Sequence, residues 1–230
     1  GVRKQAGAGV CQANLKQWGT IFAMYTDENR GMFPIRTQSS GRWIDVLFDD
    51  YYKEDKIRCC PTATKPVNPE AQAGMAIEGE TFKAWGRLLP SAGRPAGTYG
   101  SYGINHWLYK PGQDPLYGQA ARGYWETKNQ RGLSNIPLFL DCWFWCGGPE
   151  NDDPPPKFDG EKVTPHRDSM NRFCINRHQR TINGIFLDQT VRKIGLKSLW
   201  RLKWSRIYDT TAALPDWETA APWMASFPDP

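Results

Sequence analysis

Apolar residues recur along the first part of the chain at Cys11, Leu15, Trp18, Phe22 and Tyr25, in steps of four and three. That spacing marks one face of an α-helix. Asn29 and Arg30 lead into Gly31, and a glycine just past the last periodic position predicts the helix stop there. Burying Leu15, Trp18, Phe22 and Tyr25 contributes on the order of 6–10 kcal/mol gross, so the stripe requires a partner surface, and a sheet is the expected one. Residues 1–9 are small and polar; they can prolong the helix but supply no apolar face.

Further along, the pattern predicts short elements. Residues 43–48 read as a short helix that ends in Asp49, Asp50, Tyr51 and Tyr52, and Pro61 closes the element that follows. Residues 61–80 have no period and read as a long loop. Strands are expected over 98–104, 136–146, 173–176, 182–187 and 190–194, with irregular, glycine- and proline-rich chain over 147–160. Residues 196–204 read as a helix with Leu196, Leu199, Trp200 and Trp204 on one side. The expected fold class is α+β: a long N-terminal helix (1–31) packed on an antiparallel β-sheet, in one domain that runs to residue 208. Residues 209–230, with four prolines and no period, are expected to form an extended tail.

Composition narrows the function classes. The chain has 230 residues and a net charge of +5, too weak a bias to point to a nucleic-acid partner. No run approaches 18 apolar residues, so no segment of this chain is expected to span a membrane. Charge is segregated: residues 172–206 hold nine Lys or Arg against one acid, Asp188, and residues 207–230 hold four acids and no base. The plain reading is a solvated face beside an acidic tail; the sharper one is a basic face that docks an acidic partner. The 11 Trp also stand out. About half are expected in the core. Trp200, Trp204, Trp217, Trp223 and Phe227, in or near a tail with little core of its own, are assigned to an assembly interface.

The six cysteines, Cys11, Cys59, Cys60, Cys142, Cys146 and Cys174, form an even set that suits an oxidising compartment, and at least two disulfides are expected among them. A Cys59–Cys60 bond is not expected, because adjacent residues strain it. Zinc needs short, paired Cys or His spacings, and His106, His166 and His178 supply none among themselves. No nucleophile elbow, phosphate-binding loop or His-Glu-x-x-His motif is present. Cys174 and His178 stand four apart, but without identifiable oxyanion donors they read as packing residues, His178 bonded to Asp188 or to backbone.

The ordered set Cys11-Gln12-Ala13-Asn14-Leu15-Lys16-Gln17, Met24-Tyr25-Thr26-Asp27-Glu28-Asn29-Arg30-Gly31 and Phe33-Pro34 resembles the helix that follows the membrane segment in type IV pilin-like and type II secretion pseudopilin-like proteins, those of planctomycetes above all. The C-terminal half fits: His178 is followed by nine residues and then Asp188, where that family closes with His, nine residues and Asp-Gly. Gln189 stands in place of the glycine, and residues 191–204 also resemble the end of one such subfamily. The short basic leader and apolar segment of that prepilin-type family are absent from residues 1–31, so membrane contact is expected only through such a segment outside this chain. The resemblance implies an extracellular or cell-surface location after export. It also implies a non-enzymatic structural subunit, with no catalytic residues, that polymerises with itself or with other pilin-like subunits into a filament or tube. His178 and Asp188 are then a structural motif, with Asp188 accepting hydrogen bonds from turn amides or His178. It further raises calcium as the metal to expect, held by Asp152, Asp153 and Asp159 beside Asn151, with Asp141 joining from a strand end; the plainer reading of that segment is a solvated acidic turn. The alternative function is an extracellular carbohydrate-binding module that uses exposed Trp residues.

Overall fold

The computed structural model describes residues 2–37, 41–51, 55–75, 77–91, 93–112, 120–162 and 170–230. The first helix, α1, runs Val2–Glu28. Its stripe is buried as the periodicity predicts, with Cys11, Leu15, Trp18 and Phe22 inside and Tyr25 half-buried at the edge. The helix stops where Arg30 and Gly31 both turn left-handed (φ 57° and 79°), and the Gly31 amide reaches back to the Thr26 carbonyl at 2.6 Å.

Two short helices follow, α2 (Trp43–Val46) and α3 (Phe48–Tyr51). Residue 52, given to this element from the sequence, lies outside the described residues. The strands in chain order are β1 (Ile35–Arg36), β2 (Trp85–Leu88), β3 (Thr98–Gly100), β4 (Tyr102–Asn105), β5 (Lys110–Pro111), β6 (Pro137–Asp141), β7 (Cys146–Gly147), β8 (Thr181–Phe186) and β9 (Val191–Gly195). β1 pairs with β5, and β2 with β3. The main sheet has five strands in the order β7-β4-β6-β8-β9, antiparallel throughout except where β7 runs parallel to β4. α1 crosses β6, β8 and β9. Gly19 permits this approach: a Cβ there would stand 2.0 Å from Cδ1 of Ile185 on β8. The fold is therefore α+β, a long N-terminal helix on a mainly antiparallel sheet.

Several expectations are corrected. Residues 98–104 break at Ser101, because its amide bonds the Arg58 carbonyl and its hydroxyl accepts from the Cys60 amide, so β3 and β4 enter different sheets. Residues 136–146 are not one strand. After Asp141 the chain leaves the ladder, the Trp143 amide bonds Arg172, and the chain returns as β7. Trp143 and Trp145 are both buried, and Phe144 between them is half-buried. Residues 173–176 are not a strand either: helix α4 (Met170–Phe173) presents Phe173 to stack on Trp204, with ring centroids 4.9 Å apart. Residues 196–204 narrow to a 3-10 turn, Lys197–Arg201.

The tail is the largest correction. It does not run extended but forms helix α5 (Trp217–Ala220) and a 3-10 turn, Pro222–Met224, packed on its own subunit. The five aromatics assigned to an assembly interface belong to the core cluster or pack against it. Trp204 is fully buried, Trp200 is 5% exposed, Trp217 and Phe227 are 9% exposed, and Trp223 is half-buried. Trp217 meets Trp200 edge-on, and Met224 Sδ lies 3.6 Å from Cys174 Sγ. The basic segment does receive the acidic tail, but within one chain. Lys197 Nζ bonds the Ala225 carbonyl and the Asp229 carboxylate, and Arg201 bonds the Thr210 and Ala212 carbonyls. In all, ten of the 11 Trp are buried rather than about half, and no exposed row of them remains for a glycan platform.

A candidate site beneath the first helix

Four side chains from distant parts of the sequence meet where α1 crosses the end of β6. Cys11 comes from α1. Cys60 follows the 3-10 turn Asp55–Arg58 and is fixed by its amide, 2.6 Å from the Ser101 hydroxyl. Asp141 is the last residue of β6, where the register sets it opposite Tyr102 of β4. His178 opens a tight turn in which its amide bonds the Thr181 carbonyl at 2.9 Å. The central residues of that turn, Gln179 and Arg180, are both left-handed (φ 57° and 67°), the geometry that reverses the chain into β8.

The acidic, imidazole and thiol atoms converge. His178 Nε2 lies 3.1 Å from Asp141 Oδ2 and 3.3 Å from Cys60 Sγ. Cys11 Sγ lies 3.5 and 3.7 Å from the two Asp141 oxygens. One ligand atom from each of the four residues falls within 4.8 Å of all the others, and all four side chains are buried. This is the one such group among the described residues.

A second layer holds these groups. The Asn183 amide donates to Asp141 Oδ2 at 2.8 Å, Tyr102 donates its hydroxyl toward Cys11 Sγ at 3.4 Å, and the Thr62 hydroxyl lies 3.1 Å from Cys60 Sγ. Arg177 is buried beside the site and fully used. It donates to Asp141 Oδ1 and to the carbonyls of Thr81, Ser101, Glu80 and Cys142. A buried guanidinium with this many acceptors is held as a fixed charge.

Electrostatics sort the ionisable groups. Burial pushes the Asp141 carboxyl up, but the His178 hydrogen bond and the Arg177 charge outweigh it and hold the carboxyl below its usual value. Burial opposes charge on His178, yet its bonds to Asp141 and Cys60 bring it up to about 9. Burial raises the Cys60 thiol, while hydrogen bonds from Cys11 and His178 and the nearby Arg177 bring it down to about 6. Burial and the neighbouring Cys60 and Asp141 push the Cys11 thiol strongly up.

The arrangement differs from a Cys-His-Asp catalytic triad. There the carboxylate orients the imidazole from the ring nitrogen remote from the nucleophile. Here Asp141 and Cys60 address the same nitrogen, Nε2, and the sulfur is enclosed. Four donor atoms within 4.8 Å of one another are close enough to share one ion.

The calcium set assigned from the sequence does not come together. Asp141 faces the cysteines, because β6 ends beneath α1 and not in the acidic loop. Asp153 is buried and accepts from the amides of Glu150 and Met170. Asp159 accepts from the Thr81 hydroxyl and the Asn176 amide, and Asp152 is exposed. The disulfide expectation is also corrected: Cys11, Cys59, Cys60, Cys142, Cys146 and Cys174 are all free. Cys174 packs on Met224 and is not the partner of His178; Cys60 is. His178 turns to Asp141, while Asp188 accepts from the Thr190 amide and hydroxyl, so its turn-holding role is as expected. Gln189, where the pilin-like motif carries glycine, is itself left-handed (φ 68°). His166 lies outside the described residues.

All four residues stand out in the sequence for other reasons, Cys11 and Cys60 as disulfide candidates, Asp141 as a calcium ligand and His178 as part of the closing motif, but nothing in their spacing shows their union. Sequence reasoning passed over Tyr102 entirely, though the pair Arg177-His178 was a usable signal. No family model, no curated protein and no solved structure matches this chain.

Proposed function

We propose that the chain is a non-enzymatic structural subunit of an extracellular pilin-like or pseudopilin-like filament or tube. The observation that carries this reading is the 27-residue helix α1 laid along a mainly antiparallel sheet, with His178 in the turn before β8 and Asp188 in the turn after it, nine residues between them. The tail is not the assembly arm, since its aromatics fill the subunit's own core. The outward face of α1 takes that role instead. Val10 and Met24, 51% and 48% exposed, lie two heptads apart on one helix face. The two residues, about 21 Å apart along the helix with exposed Gln17 midway, are the apolar points that helix-mediated contact between copies would use.

Electron microscopy of the native material, with an antibody to this chain, tests the reading. Labelled regular filaments or tubes, lost in a Met24→Glu variant that keeps its fold by circular dichroism, are expected. Native material that carries the label and contains only dispersed single subunits would overturn it.

A further inference from the structure

We propose that Cys11, Cys60, Asp141 and His178 form a closed tetrahedral site for zinc or a similar divalent transition ion, which pins α1 to the sheet. The proposal does not depend on the assembly reading.

The geometry is the first argument. Metal–ligand bonds of about 2.0–2.3 Å in a tetrahedron place neighbouring ligand atoms about 3.3–3.8 Å apart. With Oδ2 as the Asp141 ligand, the separations here are 3.1 Å to Nε2 and 3.7 Å to Cys11 Sγ, Nε2 lies 3.3 Å from Cys60 Sγ, and all four donor atoms fall within 4.8 Å of one another. A hydrogen-bonded cluster explains the arrangement less well. A single Nε2 proton would have to serve both Asp141 and Cys60.

Charge is the second argument. Two thiolates and one carboxylate carry three negative charges, and a divalent ion with the buried Arg177 guanidinium cancels them within a closed interior. Binding needs both thiols and the imidazole in their deprotonated forms, so uptake of the ion releases protons to solvent. The donor set of two sulfurs, one imidazole nitrogen and one carboxylate oxygen is softer than magnesium or calcium prefers, and suits zinc.

The third argument is the outer layer. Metal-bound carboxylates and thiolates are held by further hydrogen bonds. Arg177 and the Asn183 amide hold Asp141, Tyr102 stands over Cys11, and Thr62 stands over Cys60. With four protein ligands, all buried, no position is left for water or substrate, so the site is structural and not catalytic.

The test is a cobalt(II) titration of the reduced, chelator-stripped full chain, read by absorption. The expected result is a one-to-one endpoint, with thiolate-to-cobalt charge transfer in the near ultraviolet, intense visible bands of tetrahedral cobalt, and displacement by zinc. Cys59→Ser, a neighbour outside the site, should leave that spectrum unchanged. Cys60→Ser should weaken binding by at least the factor of about 10–100 that loss of an outer-layer partner costs. The wild-type spectrum decides the matter even if Cys60→Ser does not fold. A wild-type chain that takes up no cobalt, or gives only the weak bands of octahedral oxygen ligation, would overturn the proposal. So would a Cys11–Cys60 disulfide found by peptide mass spectrometry of the native protein.

Discussion

Over its C-terminal half, α1 lays Trp18 and Phe22 against Phe139 of β6, with ring centroids 5.8 and 5.9 Å apart, and Trp43 packs edge-on to Trp18 at 4.9 Å. Two turns earlier the same helix face sets Cys11 against Asp141, which lies on the same strand and the same side of the sheet. One seam therefore has an aromatic end and a polar end. The aromatic end is held by area and shape. The polar end buries a carboxylate, a guanidinium and an imidazole that are costly to bury unless each is answered. The other buried cysteines show how special that end is. Burial pushes Cys142 up to about 12 and Cys146 up to about 11 despite nearby Arg172, and raises Cys174 as well, so these remain neutral packing groups. Cys60, equally enclosed, is brought down.

The largest expected effects come from breaking either end of the seam. Asp141→Ala leaves Arg177 buried without its anion and should cost about 3–5 kcal/mol in denaturant unfolding. Trp18→Ala leaves a cavity and removes the bond from its indole nitrogen to the Ile57 carbonyl at 2.9 Å, and should also cost about 3–5 kcal/mol. The two variants should differ in metal uptake: Trp18→Ala should retain cobalt binding while folded, and Asp141→Ala should lose it. A loss under about 1 kcal/mol at Trp18 would mean that the aromatic end does not hold the helix.

Within the aromatic end sits Gly19, next to Trp18. Gly19→Ala forces a Cβ into Ile185 and should cost about 1–3 kcal/mol by pushing the helix off the sheet. A neutral result in thermal unfolding would mean the seam is looser than described.

His106 offers a titration away from the seam. Burial first, then the charges of Arg36 and Arg172, push it down to about 3 from 6.5. It is neutral when folded and protonates when unfolded, so its contribution is whole above pH 6.5 and is lost as pH falls from 6.5 toward 3. Between about pH 7 and about pH 5.5 the chain should lose about 1 kcal/mol that a His106→Gln variant does not lose. Equal slopes for the two proteins would refute this.

The smallest effect has the opposite sign. Gly9, also on α1, has nothing within 4 Å of a Cβ, so Gly9→Ala should stabilise by about 0.5–1 kcal/mol through helix propensity alone.

The aromatic end was legible in the sequence because helical periodicity is local: Leu15, Trp18 and Phe22 announce their face by spacing alone. The β8–β9 hairpin was legible for the same reason, through short β-prone runs on either side of Asp188 and Gln189. The polar end was not. Cys11 lies 130 residues from Asp141 and Cys60 lies 118 from His178, so their meeting is set by strand register and by one left-handed turn, neither of which leaves a spacing to read. Asp141 drew attention toward the acidic loop because that loop follows it in sequence, while the bend after β6 carries the chain away from it. The tail misled because its prolines and missing period argued against packing. Its aromatics fill pockets one at a time from 3-10 and single-turn segments, which need no period.

The polar end of that seam is where an ion would bind. X-ray absorption at the zinc edge on the zinc-loaded chain, supplied with one equivalent, reads the ion's nearest neighbours. The account predicts a first shell of two sulfurs at about 2.3 Å and two nitrogen or oxygen atoms at about 2.0–2.2 Å. A shell of four sulfurs, or one without sulfur, would contradict it, because Cys11, Cys60, Asp141 and His178 together can supply neither.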